Sequence, residues 1–139
     1  MYIVHIQLTM RPDPNLVIDP ASPVPVYRQV VDNLRSLLVE GVLQEGDTLP
    51  TVRELGMELG VHFNTIAEAY RQLATEGWLE LKRRRGAVVM ARTTPVEQSE
   101  VVEQFHRNLR QLVAQGRADG VSIRTITQHL KEMMEEFSA

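Results

Sequence analysis

The stretch that decides the fold runs from Thr51 to Gly77 and reads TVRELGMELGVHFNTIAEAYRQLATEG. Its first four residues have the form of a capping box. The Thr51 hydroxyl suits the amide of Glu54, and the Glu54 carboxylate suits the amide of Thr51. The helix that follows is short, Val52 to Leu59, with Leu55 and Leu59 facing inward and Gly60 as its stop. Only Val61 to Phe63 separate it from a second helical pattern, in which Ile66, Ala69, Tyr70 and Leu73 make the inward stripe up to Gly77. Two short helices around a tight turn containing glycine form a helix-turn-helix.

Working outward, Val26 to Glu40 carries Val26, Tyr27, Val30, Val31, Leu34, Leu37 and Leu38 at spacings of three and four, and Gly41 follows. This predicts an amphipathic helix. Gly46 and Pro50 bracket a turn. Downstream, Trp78–Leu81 and Ala87–Met90 are apolar and β-prone, with Lys82, Arg83, Arg84, Arg85 and Gly86 between them. That pattern predicts a hairpin with a cationic tip, the wing of a winged helix. Thr94-Pro95-Val96-Glu97 has the cues of another helix start, and the stripe behind it is Val101, Val102, Phe105, Leu109, Leu112 and Val113. Gly120 ends this segment. Ser122 is placed to cap a last helix bearing Ile123, Ile126, Leu130, Met133, Met134 and Phe137.

At the N-terminus, Tyr2, Val4, Ile6, Leu8 and Met10 alternate with other residues and suggest a short strand. An edge strand or a loose arm is the expectation there. Pro12, Pro14, Pro20, Pro23 and Pro25 argue against regular structure before the first helix. The expected organisation is an arm over residues 1–15, a winged helix over 16–92 and a helical tail over 93–139. The fold class is α/β, mainly α.

Composition narrows the function. The 139 residues contain no cysteine, which excludes disulfides and thiolate metal sites and fits a cytoplasmic location. No apolar run is long enough to span a membrane, and the first residues lack the basic cluster of a signal peptide. His5, His62, His106 and His129 have no metal-ligand spacing, and no catalytic constellation or cofactor loop stands out, so no enzyme is expected. The net charge of −3 runs against nucleic-acid binding. Yet four of the fifteen Lys and Arg residues fall in the single run 82–85, and a local cationic point suffices where screening limits distant repulsion to about 8 Å.

In a helix-turn-helix the N-terminal half of the second helix enters the major groove. Here the outward set is His62, Phe63, Asn64, Thr65, Ala67, Glu68 and, further along, Arg71. Asn64 suits adenine and Phe63 a thymine methyl, while Asn64 and Thr65 equally suit the helix N-cap. Thr51 and the amides behind it suit a phosphate, and Arg53 a phosphate or a guanine edge. Arg83, Arg84 and Arg85 suit the minor groove or the backbone, with an ordinary polar hairpin tip as the alternative. Tyr70 and Trp78 read as core.

From Pro25 to Ala91 the chain resembles the DNA-binding domain of the GntR family. The marks are Pro25-x-Tyr27, Gly46-Asp47-x-Leu49-Pro50, Arg53-Glu54-Leu55, Leu59-Gly60-Val61, Asn64-Thr65, Ala69-Tyr70 and Glu76-Gly77. Asn64-Thr65 followed by Ala69-Tyr70, with a short tail, resembles the YtrA subfamily. The resemblance implies DNA contacts at Thr51, Arg53, Asn64, Thr65 and the wing up to Gly86. It also implies a two-helix dimerisation tail, with no large effector domain and no aminotransferase-like domain. Departures lie at His62-Phe63, where the subfamily prefers Asn-Pro, at Glu68, which is commonly basic, at Arg84, which replaces a wing glycine, and at Ala87-Val88.

The expected function is therefore a transcription regulator, a repressor bound to a two-fold operator as a homodimer. The expected interface residues are His62, Phe63, Asn64 and Thr65 with Thr51, Arg53, Arg83, Arg84, Arg85 and Gly86. The dimer stripe is Val102, Phe105, Leu109, Leu112, Ile126, Leu130, Met133 and Phe137. Expected partners are double-stranded operator DNA and a second copy, with an unidentified small-molecule effector left open. The alternative reading is a winged helix used for protein interaction.

Overall fold

A computed structural model describes residues 2–5 and 15–138. The chain divides into two compact units, Met1–Arg92 and Thr93–Ala139.

In the first unit, β1 (Tyr2–His5) pairs antiparallel with β2 (Asn15–Ile18), Ile3 opposite Val17. Helix α1 (Val26–Val39) follows, then β3 (Thr48–Leu49), α2 (Val52–Leu59), α3 (Phe63–Thr75), β4 (Leu79–Lys82) and β5 (Gly86–Val89). The three later strands form an antiparallel sheet in the order β3-β5-β4, with Leu49 opposite Ala87 and Leu81 also opposite Ala87 from the other side. This is the winged helix-turn-helix.

The core follows the sequence stripes. Val30, Val31, Leu34 and Leu38 of α1 are buried with Leu55 and Leu59 of α2 and Ile66, Ala69, Tyr70 and Leu73 of α3. Leu49, Leu79, Ala87 and Val89 close the core from the sheet. Glycines end the helices as expected. After α1, Gly41 takes φ +78°, and the amides of Gly41 and Val42 bond back to the carbonyls of Leu38 and Leu37.

Three expectations change. The proline-bounded stretch before α1 holds a strand, because residues 15–18 lie between prolines and need none of their own. Leu16 and Ile18 of β2 are fully buried, and side chains of α1 supply partners for its edge. Asn33 accepts the Val17 amide at 3.3 Å and donates to the Val17 carbonyl at 3.0 Å, while Gln29 does the same for Asp19 at 2.7 and 2.9 Å. The alternation from Ile6 to Met10 lies outside the described residues. Second, the segment between Gly46 and Pro50 is a strand, β3, as well as a turn. Third, Thr94 does not start a helix.

The second unit is α4 (Ser99–Ala118) and α5 (Ile123–Phe137). Gln98 is the N-cap of α4 and makes no side-chain cap bond. The cues at Thr94–Glu97 are worth about 1 kcal/mol and cannot hold a turn that stays wholly exposed. Ser122 caps α5 as expected, accepting the Thr125 amide at 3.0 Å.

Candidate nucleic-acid interface

The first turn of α2 is set by Thr51. Its hydroxyl accepts the Glu54 amide at 3.2 Å, and the same hydroxyl donates to the Glu54 carboxylate at 3.0 Å. Glu54 thus closes the box on the hydroxyl, where the sequence suggested the Thr51 amide. Gly60 takes φ +67°, and Val61 donates back to the Gly56 carbonyl at 2.9 Å. Gly56 is needed here, since a Cβ on it would stand 2.7 Å from the Val61 oxygen.

Helix α3 is capped by His62. Its Nδ1 accepts the Asn64 amide at 3.1 Å. Asn64 and Thr65 therefore sit at the second and third helical positions, and the alternative that they are the cap falls away. Asn64 is exposed and Thr65 half-buried. The His62 ring stacks on Phe63, centroids 4.5 Å apart, and the Arg53 guanidinium lies 4.3 Å from the centroid of the Phe63 ring. These three residues share a depression of about 370 Å³ with Met57 and the turn glycines.

The wing tip is Arg83-Arg84-Arg85. All three are exposed, and none makes an ion pair among the described residues. Lys82 differs, because it belongs to β4 and pairs with Glu80 at 2.8 Å. Arg84 takes φ +63°, a left-handed conformation that costs a side-chain-bearing residue roughly 1 kcal/mol. Gly86 takes φ +76°, and a Cβ there would collide with the Leu49 carbonyl and stand 2.7 Å from that of Pro50.

Helix, turn and wing meet around a groove of about 530 Å³. Thr51, Val52 and Arg53 of α2 line it, with Ala67, Tyr70 and Arg71 of α3 and Leu81, Lys82, Arg84 and Gly86 of the wing. Four cationic side chains and no carboxylate face it. The structure thus brings together Thr51, Arg53, Arg84 and Gly86 of the expected site. A neighbouring groove of about 330 Å³ holds Thr51, Arg84 and Arg85 beside Glu54 and Glu58. Asn64, Thr65 and Arg83 line none of these grooves. Arg71 belongs to the outward set of α3, but its periodicity alone could not place it opposite the wing.

Tyr70 is core, as expected. Its hydroxyl donates to the Pro50 carbonyl at 2.7 Å, and burial, reinforced by Glu54 and Glu58, pushes its pKa well above the ordinary phenol range. This bond ties α3 to the start of α2. Trp78 is half-buried against the core, with the Arg92 guanidinium 4.3 Å from its ring centroid.

A second surface lies in the tail. No residue of α4 or α5 is buried. Leu109, Val113 and Gly116 of α4, Val121 of the connecting turn and Ile126, Leu130 and Met133 of α5 line an apolar groove of about 410 Å³. Phe105 and Leu112 stay 65 % and 70 % exposed, and Val102, Met133 and Phe137 are exposed as well. Among the described residues no three metal-ligating side chains converge, and no helix is long and apolar enough to cross a membrane.

Comparison with known proteins agrees with this geometry. Residues 26–89 match the family described as bacterial regulatory proteins, gntR family. The chain is 34 % identical over 118 residues to the HTH-type transcriptional repressor YtrA of Bacillus subtilis (strain 168), covering 84 % of this chain and 89 % of that one. A solved structure described as YtrA from Sulfolobus acidocaldarius, a GntR-family transcription factor, is 30 % identical with a TM-score of 0.52, covering 88 % of this chain and 99 % of that one. A transcriptional antiterminator from Listeria monocytogenes EGD-e shares the fold, at a TM-score of 0.68 and 24 % identity, covering 88 % of this chain and 92 % of that one. With the helix-turn-helix, the wing and the tail helices all in place, the chain belongs to the gntR family of DNA-binding transcription regulators and is of the YtrA type.

Proposed function

We propose that this regulator is a repressor that binds a two-fold operator as a homodimer. The cationic groove between α2, α3 and the wing carries the reading. A chain of net charge −3 there gathers Arg53, Arg71 and Arg84, with Lys82 paired to Glu80 beside them and no carboxylate in the lining, which suits a phosphate backbone. The first turn of α3 then presents Asn64 and Thr65 to base edges, with His62 and Phe63 beside them. Arg83, Arg84 and Arg85 hold the flanking groove, and Gly86 lets the wing approach α2. The name of the Bacillus relative supports repression.

The tail supports the dimer. Val102, Phe105, Leu109, Leu112, Ile126, Leu130, Met133 and Phe137 offer more apolar surface than two helices of one chain cover, and a second copy is the economical cover. Two-fold symmetry would set the recognition helices about 34–36 Å apart, on successive major-groove faces. Repression is then steric.

The test compares the full chain with one ending at Arg92, by mass in solution and by binding to duplexes that the full chain selects from a randomised pool. A dimer that selects an inverted repeat is expected, against a monomer with weakened binding after truncation. A full-length monomer at micromolar concentration, or selection of a single half-site, overturns the proposal.

A further inference from the structure

We propose that Phe63 is a positioning residue for DNA reading: its ring holds the Arg53 guanidinium of α2 against the first turn of α3, so that the two helices present one recognition surface. The inference rests on the interface just proposed. Phe63 was expected to meet a thymine methyl. In the structure its ring is engaged by the molecule itself, with Arg53 4.3 Å from its centroid and the His62 ring stacked at 4.5 Å with an interplanar angle of 27°. Phe63 is half-buried, so only part of it faces outward.

Arg53 is exposed, and among the described residues its guanidinium makes no ion pair and donates no hydrogen bond. It lies instead over the Phe63 ring. A planar cation on an aromatic face keeps its edge N–H groups free. Those donors suit a base edge or a phosphate, and holding the long side chain beforehand reduces the rotamer freedom lost on binding. The other end of the stack is also anchored. His62 accepts the Asn64 amide through Nδ1, so its ring is fixed to the backbone that carries Asn64. The stack thus links Arg53 to the helix turn bearing Asn64 and Thr65, although they come from different helices.

The experiment uses the full chain and duplexes that it selects from a randomised pool. Phe63→Leu keeps apolar bulk and removes the π face. It is expected to lower affinity for the selected duplex by about two- to five-fold, the size of an exposed cation–π contact. The same substitution should cost nothing further in an Arg53→Ala background, and Phe63→Tyr should restore parental affinity. Arg53→Lys, which leaves Phe63 and the helix cap untouched, should weaken the selected duplex and blur the selected sequence at one position. Independent, multiplying losses from Phe63→Leu and Arg53→Ala would overturn the inference, as would parental affinity in Phe63→Leu or in Arg53→Lys. So would equal loss on selected and random DNA with a lowered melting temperature, since that marks a folding role. If the parent selects sequences and the coupling is absent, only this inference fails. If the parent selects nothing, the interface reading fails with it.

Discussion

Arg35 on α1 grips Glu76 at the end of α3 with both edges of its guanidinium, Nε donating to Oε1 at 3.0 Å and Nη2 to Oε2 at 2.7 Å. Gln72 donates to the same carboxylate at 2.9 Å, and Arg92 Nε donates to the Glu76 carbonyl at 3.0 Å. Glu76 therefore joins α1, α3 and the segment after β5.

The Arg35 hydrogen bonds hold the Glu76 carboxyl below the usual glutamate range, against a smaller opposing effect of burial. A depressed folded pKa gives stability that is present above the unfolded value, about 4.3, and lost as pH falls through the folded one. Both side chains are partly exposed, so the effect is modest. Glu76→Gln is expected to cost about 1 kcal/mol at neutral pH and nearly nothing in strong acid. Urea unfolding of both proteins across that acid range checks this.

Gly86→Ala should destabilise the winged helix by at least about 2 kcal/mol, because the added Cβ meets two backbone carbonyls and φ is positive. Gly60→Ala meets nothing within 4 Å and should cost only the left-handed strain, roughly 1 kcal/mol. Equal losses in chemical unfolding would contradict the crowding at Gly86.

At Arg84 stability and binding should move in opposite directions. Arg84→Gly relieves the strain at φ +63° and should gain about 1 kcal/mol in unfolding. It also removes a cation from the groove. If that cation meets one phosphate, the slope of log K against log salt falls by about 0.9. Arg83→Ala and Arg85→Ala should flatten the slope with no gain in stability.

Asn64→Ala should leave stability nearly unchanged, because His62 provides the cap. Its expected cost is about 1–3 kcal/mol against the selected duplex, confined to one base-pair step, with random DNA bound as before. Loss on all DNA alike would mean a phosphate contact.

Phe105→Glu or Leu112→Glu in the tail should dissociate the proposed dimer. Each side chain is largely exposed in one chain, so a charge there costs the single chain little and a buried interface several kcal/mol. Sedimentation at micromolar concentration reads the outcome. A dimer that persists in both variants would place the second copy elsewhere.

What the sequence determined by itself is local. The stripe Ile66-Ala69-Tyr70-Leu73, the stops at Gly41 and Gly60 and the caps at Thr51 and Ser122 each depend on residues a few positions apart, so periodicity and capping rules locate the helices and the turn between them. The cationic hairpin and the resemblance carried by Arg53-Glu54-Leu55 and Asn64-Thr65 were equally legible. Tertiary structure decided what depends on residues brought together from afar. Arg35 meets Glu76 across 41 positions, and the segment between the prolines is a strand because it pairs with β1, with Asn33 meeting Val17 across 16 positions. The alternatives at α3, where Asn64, Thr65 and His62 all stood near the helix start, were resolved by the ring placement that aims Nδ1 at the Asn64 amide. Likewise only the folding of the wing over α3 sets Arg71 and Arg84 on one groove, because a one-dimensional pattern gives the face of a helix but not what lies opposite it.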